Sequence, residues 1–340
     1  MTDPSDDPVD RAPAADAHDD DSAATDSAAG DPDATAVDPA GTAATDPDGT
    51  AADDPAGTGG GSPAIAVAVA AVLGVLGPVL AVLGGQGIFL VDSAVGGLPL
   101  AVYVVLTLIV GQYVAFGGLA VGYLAWRGFD RAGIVSYLGV RRPSLTEVGL
   151  VVGGWVVIVI TLLVVSSVVQ LLGGEAASNQ SAELAMRNPA IIPLFVVAMF
   201  LVVGPSEEVL YRGIVQGRLR ESLPAVPAIA IASGIFAFIH VMALTGGVSG
   251  RLTTVAILFF PSLVFGAVYE YTENLVVPAL LHGLHNAVIF TLLYVTVTYS
   301  DELEGMAEGG TAVAEADAAV TGAVAAVAEA SAALLPLLPA

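Results

Sequence analysis

Seven apolar runs, several of them about twenty residues long, lie between Pro63 and Val297, separated by short polar stretches. A helix of about 20 apolar residues is the length needed to cross a hydrocarbon core of about 30 Å. At that depth every backbone amide must be paired inside its own segment, so a run of this length crosses as a helix. The expected fold is all-α: a polytopic transmembrane helical bundle of seven or eight spans. The expected spans are Pro63–Leu83 with a kink at Gly77-Pro78, then Leu98–Trp126, Val148–Leu172, Ile191–Gly204, Val226–Leu244, Leu252–Tyr271 and Leu275–Val297. Ala318–Ala340 is a weak candidate for an eighth, because Glu329 sits in its middle and a carboxylate at bilayer depth is costly.

Charge orients the bundle. Arg127, Arg131, Arg141 and Arg142 follow the second run, and Arg212, Arg218 and Arg220 follow the fourth, while only Arg187 and Arg251 fall on the other side. Positive loops stay cytoplasmic, so the N-terminus is expected inside the cell, in a multi-pass cell-membrane protein. The formal net charge of -23 is uneven: residues 1–62 hold 16 Asp and one Arg among Ala, Pro, Gly, Thr and Ser. Such a tail buries too little to offset its ordering entropy and is expected to be disordered. The acidic balance and the absence of lysine suit a halophilic setting, in which acidic surfaces keep proteins solvated; a GC-rich genome is the plainer explanation. No basic patch exists to neutralise phosphates, so nucleic acid is not an expected partner. With no cysteine, disulfides, thiolate metal sites and Cys nucleophiles are excluded.

Against this background the polar residues inside the runs stand out. Glu207 and Glu208 end the fourth run, with Arg212 one turn on. Ionisable groups at this depth mark function or pairing. Glu208 and Arg212 are four apart and face each other as a structural ion pair. Glu207 points about 100° away and is the free carboxylate. Phe236 and His240 share a face of the fifth run, and His282 and Asn286 share a face of the seventh; His285 lies about 60° off that face and is assigned to packing or a supporting role. His18, in the tail, is set aside. The segments 301–340 and 1–62 carry nothing comparable.

Two chemistries fit Glu207, His240, His282 and Asn286. Glu207 with His240 could activate a water as general base, with His282 and Asn286 donating to the oxyanion. Alternatively Glu207, His240 and His282 could ligate a divalent metal such as zinc, which acidifies a bound water. Both give hydrolysis at membrane depth. No His-Glu-x-x-His, Gly-x-Ser-x-Gly or P-loop stretch occurs, against a zincin, that serine design or an ATP-driven pump. A proton-coupled transporter would show two related halves, and none is visible.

The ordered set Glu207-Glu208-x-x-x-Arg212, Phe236-x-x-x-His240 and His282-x-x-x-Asn286 resembles the three-part signature of the CPBP family, which comprises type II CAAX prenyl endopeptidases and bacteriocin-processing, self-immunity or abortive-infection proteins. Tyr211-Arg212-Gly213, Phe265-Gly266, Tyr269, Pro278 and the stretch Ser136-Tyr-Leu-Gly-Val-Arg-Arg agree with it, and the resemblance covers roughly residues 130–300. It implies an intramembrane endopeptidase acting near the cytoplasmic membrane face. Glu207 and His240 would activate the water and His282 and Asn286 would form the oxyanion hole, with Glu208, Arg212, Phe236 and His285 in support. The implied partners are membrane lipids and a peptide or protein substrate, prenylated or membrane-anchored. Members are described both as metalloproteases and as metal-free glutamate enzymes. The rival reading is a non-catalytic scaffold or immunity factor built on the same fold.

Overall fold

The computed structural model describes residues 62–300 and Glu302. The expectations for the acidic tail (apart from Ser62), for His18 and for an eighth helix at Ala318–Ala340 lie outside the described residues. Seven helices are long and apolar enough to cross a membrane: Pro63–Ala94, Leu100–Trp126, Leu145–Leu171, Pro189–Arg220, Ala225–Ala243, Val248–Thr272 and Val276–Thr298. They are called the first to seventh spans below. Two short helices, Arg131–Tyr137 and Gln180–Arg187, lie between spans two and three and between spans three and four. There is no β-strand among the described residues, only a single bridge between Asn179 and Leu244.

Local chemistry sets the helix starts. Proline stands at the first position of the first span, and Pro189 opens the fourth, where its missing N–H costs nothing. Ser144 caps the third span in a reciprocal box with Glu147, so two otherwise orphaned amides are paired.

Two expected boundaries move. The first helix runs through Gly77-Pro78 to Ala94, and the fourth continues past Gly204 to Arg220. In each case a proline sits inside a helix, lacks the N–H for the carbonyl four residues back, and leaves that carbonyl needing a partner inside the membrane. A tyrosine from a neighbouring span supplies it. Tyr211 Oη donates to Gly74 O at 3.0 Å, four residues before Pro78. Tyr113 Oη donates to Leu201 O, four residues before Pro205. The helices therefore pass through their prolines, where sequence alone gives a kink in the first span and an end in the fourth.

The fourth span is the axis of the bundle. On one side Leu210, Tyr211 and Ile214 pack with Phe116 of the second span and Ala232 and Phe236 of the fifth. On another, Phe195, Met199 and Val203 pack with Val104 and Phe290. The third span is peripheral, meeting Phe265, Val277 and Leu281 through Val151 and Ile158, with Val157, Ile160 and Leu163 left outward. In lipid no hydrophobic force joins helices, so close contact depends on small residues. Gly204 and Gly283 provide it. A Cβ on Gly204 would stand 2.7 Å from Ala279 O, and one on Gly283 would stand 3.0 Å from Phe200 Cα. This crossing sets the fourth and seventh spans close enough for Glu207 and Glu208 to meet His282.

The segment Ser136–Arg142 packs under the arginine-bearing end. Leu138 is buried against Gly213, and Tyr137 lies against Gly217. Gly139 takes a left-handed backbone, φ 64°, beneath the carbonyl of Glu273. Arg141 bonds Glu147 at 2.9 Å and Thr272 O at 2.9 Å. Arg127 pairs with Glu221, and burial together with that same carboxylate pushes the Tyr137 phenol well above its usual value.

Candidate active site

The fourth span changes its winding around the glutamates. Wide π turns at Met199–Val203 and Val209–Gln216 flank the α segment Gly204–Glu208, an irregularity frequent at functional sites. Because the helix runs on to Arg220, Glu207 does not mark its end. Roughly 20 Å of helix separates Glu207 from Arg220 at 1.5 Å per residue, which places the carboxylate mid-span. Arg212, expected just beyond the fourth run, is likewise inside the helix and fully buried.

Glu208 and Arg212 form an ion pair at 2.9 Å with no exposed surface on either side chain. Arg212 Nη2 also donates to Ser262 Oγ at 2.9 Å, and its guanidinium lies 5.2 Å from the centroid of Phe236 and 5.8 Å from that of Phe265. The other Glu208 oxygen stands 2.9 Å from His282 Nδ1. A carboxylate accepts only, so Nδ1 carries the proton and donates it to Glu208. The His282 ring is stacked on Phe265 at 4.7 Å, edge-on to Phe236 at 5.8 Å. Ring position, tautomer and tilt are thus held from three sides.

His282 Nε2 faces Glu207 Oε2 at 3.8 Å, too long for a hydrogen bond. Glu207 Oε1 accepts from Gln112 Nε2 at 3.2 Å, while Oε2 is buried without a hydrogen-bond partner among the described residues. Gln112 is held in turn by Ser206 Oγ, 2.8 Å from its Oε1. His240 Nδ1 lies 2.7 Å from Phe236 O. A carbonyl accepts, so His240 Nδ1 donates and Nε2 is left as an acceptor.

Glu207, His240, His282 and Asn286 all line one cavity of about 360 Å³, with Gln112, Phe236, Phe265 and His285 in its wall. Glu208 and Arg212 stand behind it. His285, expected off the shared face, reaches the cavity too. Gln112, Ser206 and Ser262 were not singled out from sequence. Gln112 was open to detection as an amide inside an apolar run; the serines had no such signal. As for a metal, among the described residues no three His, Asp or Glu side chains close around a common point. Glu207, His240 and His282 in this arrangement therefore do not make a ligand set, and no step is routed through a metal.

Comparison with known proteins adds two findings. Residues 189–288 match the family described as "Rce1-like: Type II CAAX prenyl endopeptidase Rce1-like". That region holds both glutamates, Arg212, all three histidines and Asn286. The chain is also 26% identical over 165 residues to the membrane-embedded CAAX protease MroQ of Staphylococcus aureus, which covers 46% of this chain and 63% of the relative. The chain thus spans less than two thirds of that curated protein. No solved structure matches. Through residues 189–288, the chain is thus similar to the Rce1-like type II CAAX prenyl endopeptidases.

Proposed function

We propose that this protein is an intramembrane endopeptidase that hydrolyses a peptide bond with a water activated by Glu207 and His240. The observation that carries the reading is the buried, unpartnered Oε2 of Glu207, which faces His282 in the cavity that His240 also lines. A scaffold has no need for an unpaired carboxylate oxygen at this depth, where it is costly.

Glu207 Oε2 and His240 Nε2 are both acceptors, so together they hold the two protons of the attacking water. Glu207 takes one proton as the water oxygen adds to the scissile carbonyl. The carbonyl oxygen becomes an oxyanion and receives hydrogen bonds from Asn286 and His282. His282 already gives Nδ1–H to Glu208, so donating from Nε2 requires a second proton. Glu207 and Glu208, on the two sides of the ring, are the partners such a cation needs. Collapse of the adduct breaks the C–N bond, and Glu207 returns its proton to the leaving amine. Gln112 holds Glu207 in place, and the Arg212–Glu208 pair holds His282. The substrate is a peptide or protein chain in the membrane, prenylated or otherwise anchored.

The test is cleavage of quenched membrane-anchored peptides, prenylated and unprenylated, by purified full-length protein in lipid at high salt. Glu207→Gln is expected to abolish turnover while leaving the fold intact, and a chelator is expected to leave wild-type turnover unchanged. Full activity in Glu207→Gln would overturn the assignment, and loss on chelation with recovery on zinc would replace it with the metal reading.

A further inference from the structure

We infer that His285 binds the main chain of the substrate, holding a peptide group one or two residues from the scissile bond. It is then a substrate-binding residue beyond Glu207, His240, His282 and Asn286, which act on the bond itself. The inference rests on the peptidase reading above and is carried by one observation: His285 is a buried polar side chain in the cavity wall without a partner.

Three buried polar residues stand in that wall: Glu207, His282 and His285. Glu207 accepts from Gln112, and His282 donates to Glu208. The half-buried polar groups around them are engaged as well. Gln112 receives a bond from Ser206, Thr254 one from the amide of Ala177, and Asn179 one from the amide of Ser181. His285, only 8% exposed, makes no hydrogen bond with any described residue. Its stretch of wall is otherwise apolar, with Leu258 and Pro261 of the sixth span and Ile289 and Leu293 of its own. A polar group left this way is costly until something pairs with it.

Helical geometry puts His285 beside the reacting bond but off it. Leu281, four residues before His285, packs with Phe265 and the third span. Phe290, four residues after Asn286, packs with Phe195 of the fourth. His285 and Asn286 thus flank the face that His282 presents to the cavity, His285 towards the sixth span and Asn286 towards the fourth. Residues three apart on a helix have Cβ atoms about 5–6 Å apart, and an extended chain advances about 3.3 Å per residue. A chain whose scissile carbonyl lies at His282 and Asn286 therefore brings a peptide group one or two residues away to His285. When His282 takes its second proton, another cation one turn away in an apolar wall is strongly disfavoured, so His285 stays neutral, with one donor and one acceptor. A peptide group is the complement, one C=O and one N–H. A segment extended for cleavage at membrane depth has given up its helical bonds, and no water is there to replace them. His285 and the unwound chain each supply what the other lacks.

The test uses full-length protein in lipid vesicles and a quenched membrane-anchored peptide whose cleavage site is read by mass spectrometry. In matched analogues each amide within two residues of that site is replaced in turn by an ester, which has no N–H. His285→Leu is expected to raise KM about three- to tenfold, the loss of one hydrogen bond, with kcat little changed because the contact is made before and during reaction alike. His285→Gln, which keeps a donor and an acceptor, should fall between. One ester analogue should raise the wild-type KM by a like factor and have no further effect on His285→Leu. An unchanged KM in His285→Leu, or ester effects of equal size in both proteins, overturns the inference and leaves the peptidase reading standing. Should His285→Leu fail to fold, the ester series on wild type decides, and no rise in KM at any position overturns the inference. Binding of the same peptides to Glu207→Gln, followed by fluorescence anisotropy, needs no turnover. Adding His285→Leu should weaken it by the same factor, and equal affinity overturns the inference. Absence of cleavage by wild type with that binding difference intact counts against the peptidase reading alone.

Discussion

The bundle contains two Glu–Arg pairs of identical helical spacing in opposite surroundings, and replacing each arginine by methionine separates what spacing gives from what burial gives. Glu183–Arg187 closes at 3.2 Å with side-chain exposures of 26% and 74%, whereas Glu208–Arg212 closes at 2.9 Å with 0% on both sides. Arg187→Met removes an exposed pair worth about 0.3–0.5 kcal/mol. Arg212→Met removes the counter-ion of a fully buried carboxylate, a loss of about 3–5 kcal/mol, and leaves Ser262 without its donor. Glu208→Gln combined with Arg212→Met takes away both charges, and the amide oxygen can still accept from His282. The double variant should therefore regain up to roughly 3 kcal/mol of the summed single losses. The assay is unfolding of purified protein in mixed micelles by denaturing detergent, followed by far-ultraviolet circular dichroism. An Arg212→Met cost below about 1 kcal/mol, the range of an exposed pair, or strict additivity in the double variant, would refute the reasoning.

Two further outcomes are expected. Gln112→Leu removes the donor to Glu207, an interaction with a charged acceptor worth about 1.5–3 kcal/mol, so kcat should fall by roughly ten- to a hundredfold at 1.36 kcal/mol per decade with KM little changed; steady-state cleavage checks this, and a kcat within twofold of wild type rejects the positioning role. Gly204→Ala places a methyl group 2.7 Å from Ala279 O and should destabilise by about 1–3 kcal/mol while lowering turnover, whereas Gly122→Ala, with nothing within 4 Å, should leave stability unchanged in the same unfolding measurement.

Much of this architecture was legible in the residues. Seven apolar runs specify seven helices because bilayer thickness fixes run length and hydrocarbon tolerates no unpaired backbone. The i,i+4 relations of Glu208 with Arg212, and of His282 with Asn286, follow from helical pitch alone. These features depend on local geometry or on the solvent, both of which a linear sequence carries.

What the tertiary structure decided involves partners far apart in the chain. The hydroxyls of Tyr113 and Tyr211, which let two helices run through prolines, come from other spans, so the run of the fourth helix past Pro205 could not be read from its own residues. Gln112 reaches Glu207 across 95 positions, and His282 reaches Glu208 across 74. Neither meeting is encoded in any periodicity; both depend on the backbone approach at Gly204 and Gly283. Which part of the bundle is filled and which is hollow is a property of packing, because the same apolar residues can close a core or line a cavity. The sequence determined a seven-span helical membrane protein and named the polar groups at its centre. Packing alone placed those groups around one cavity, since cavity shape arises from contacts between spans and not from the order of residues within them.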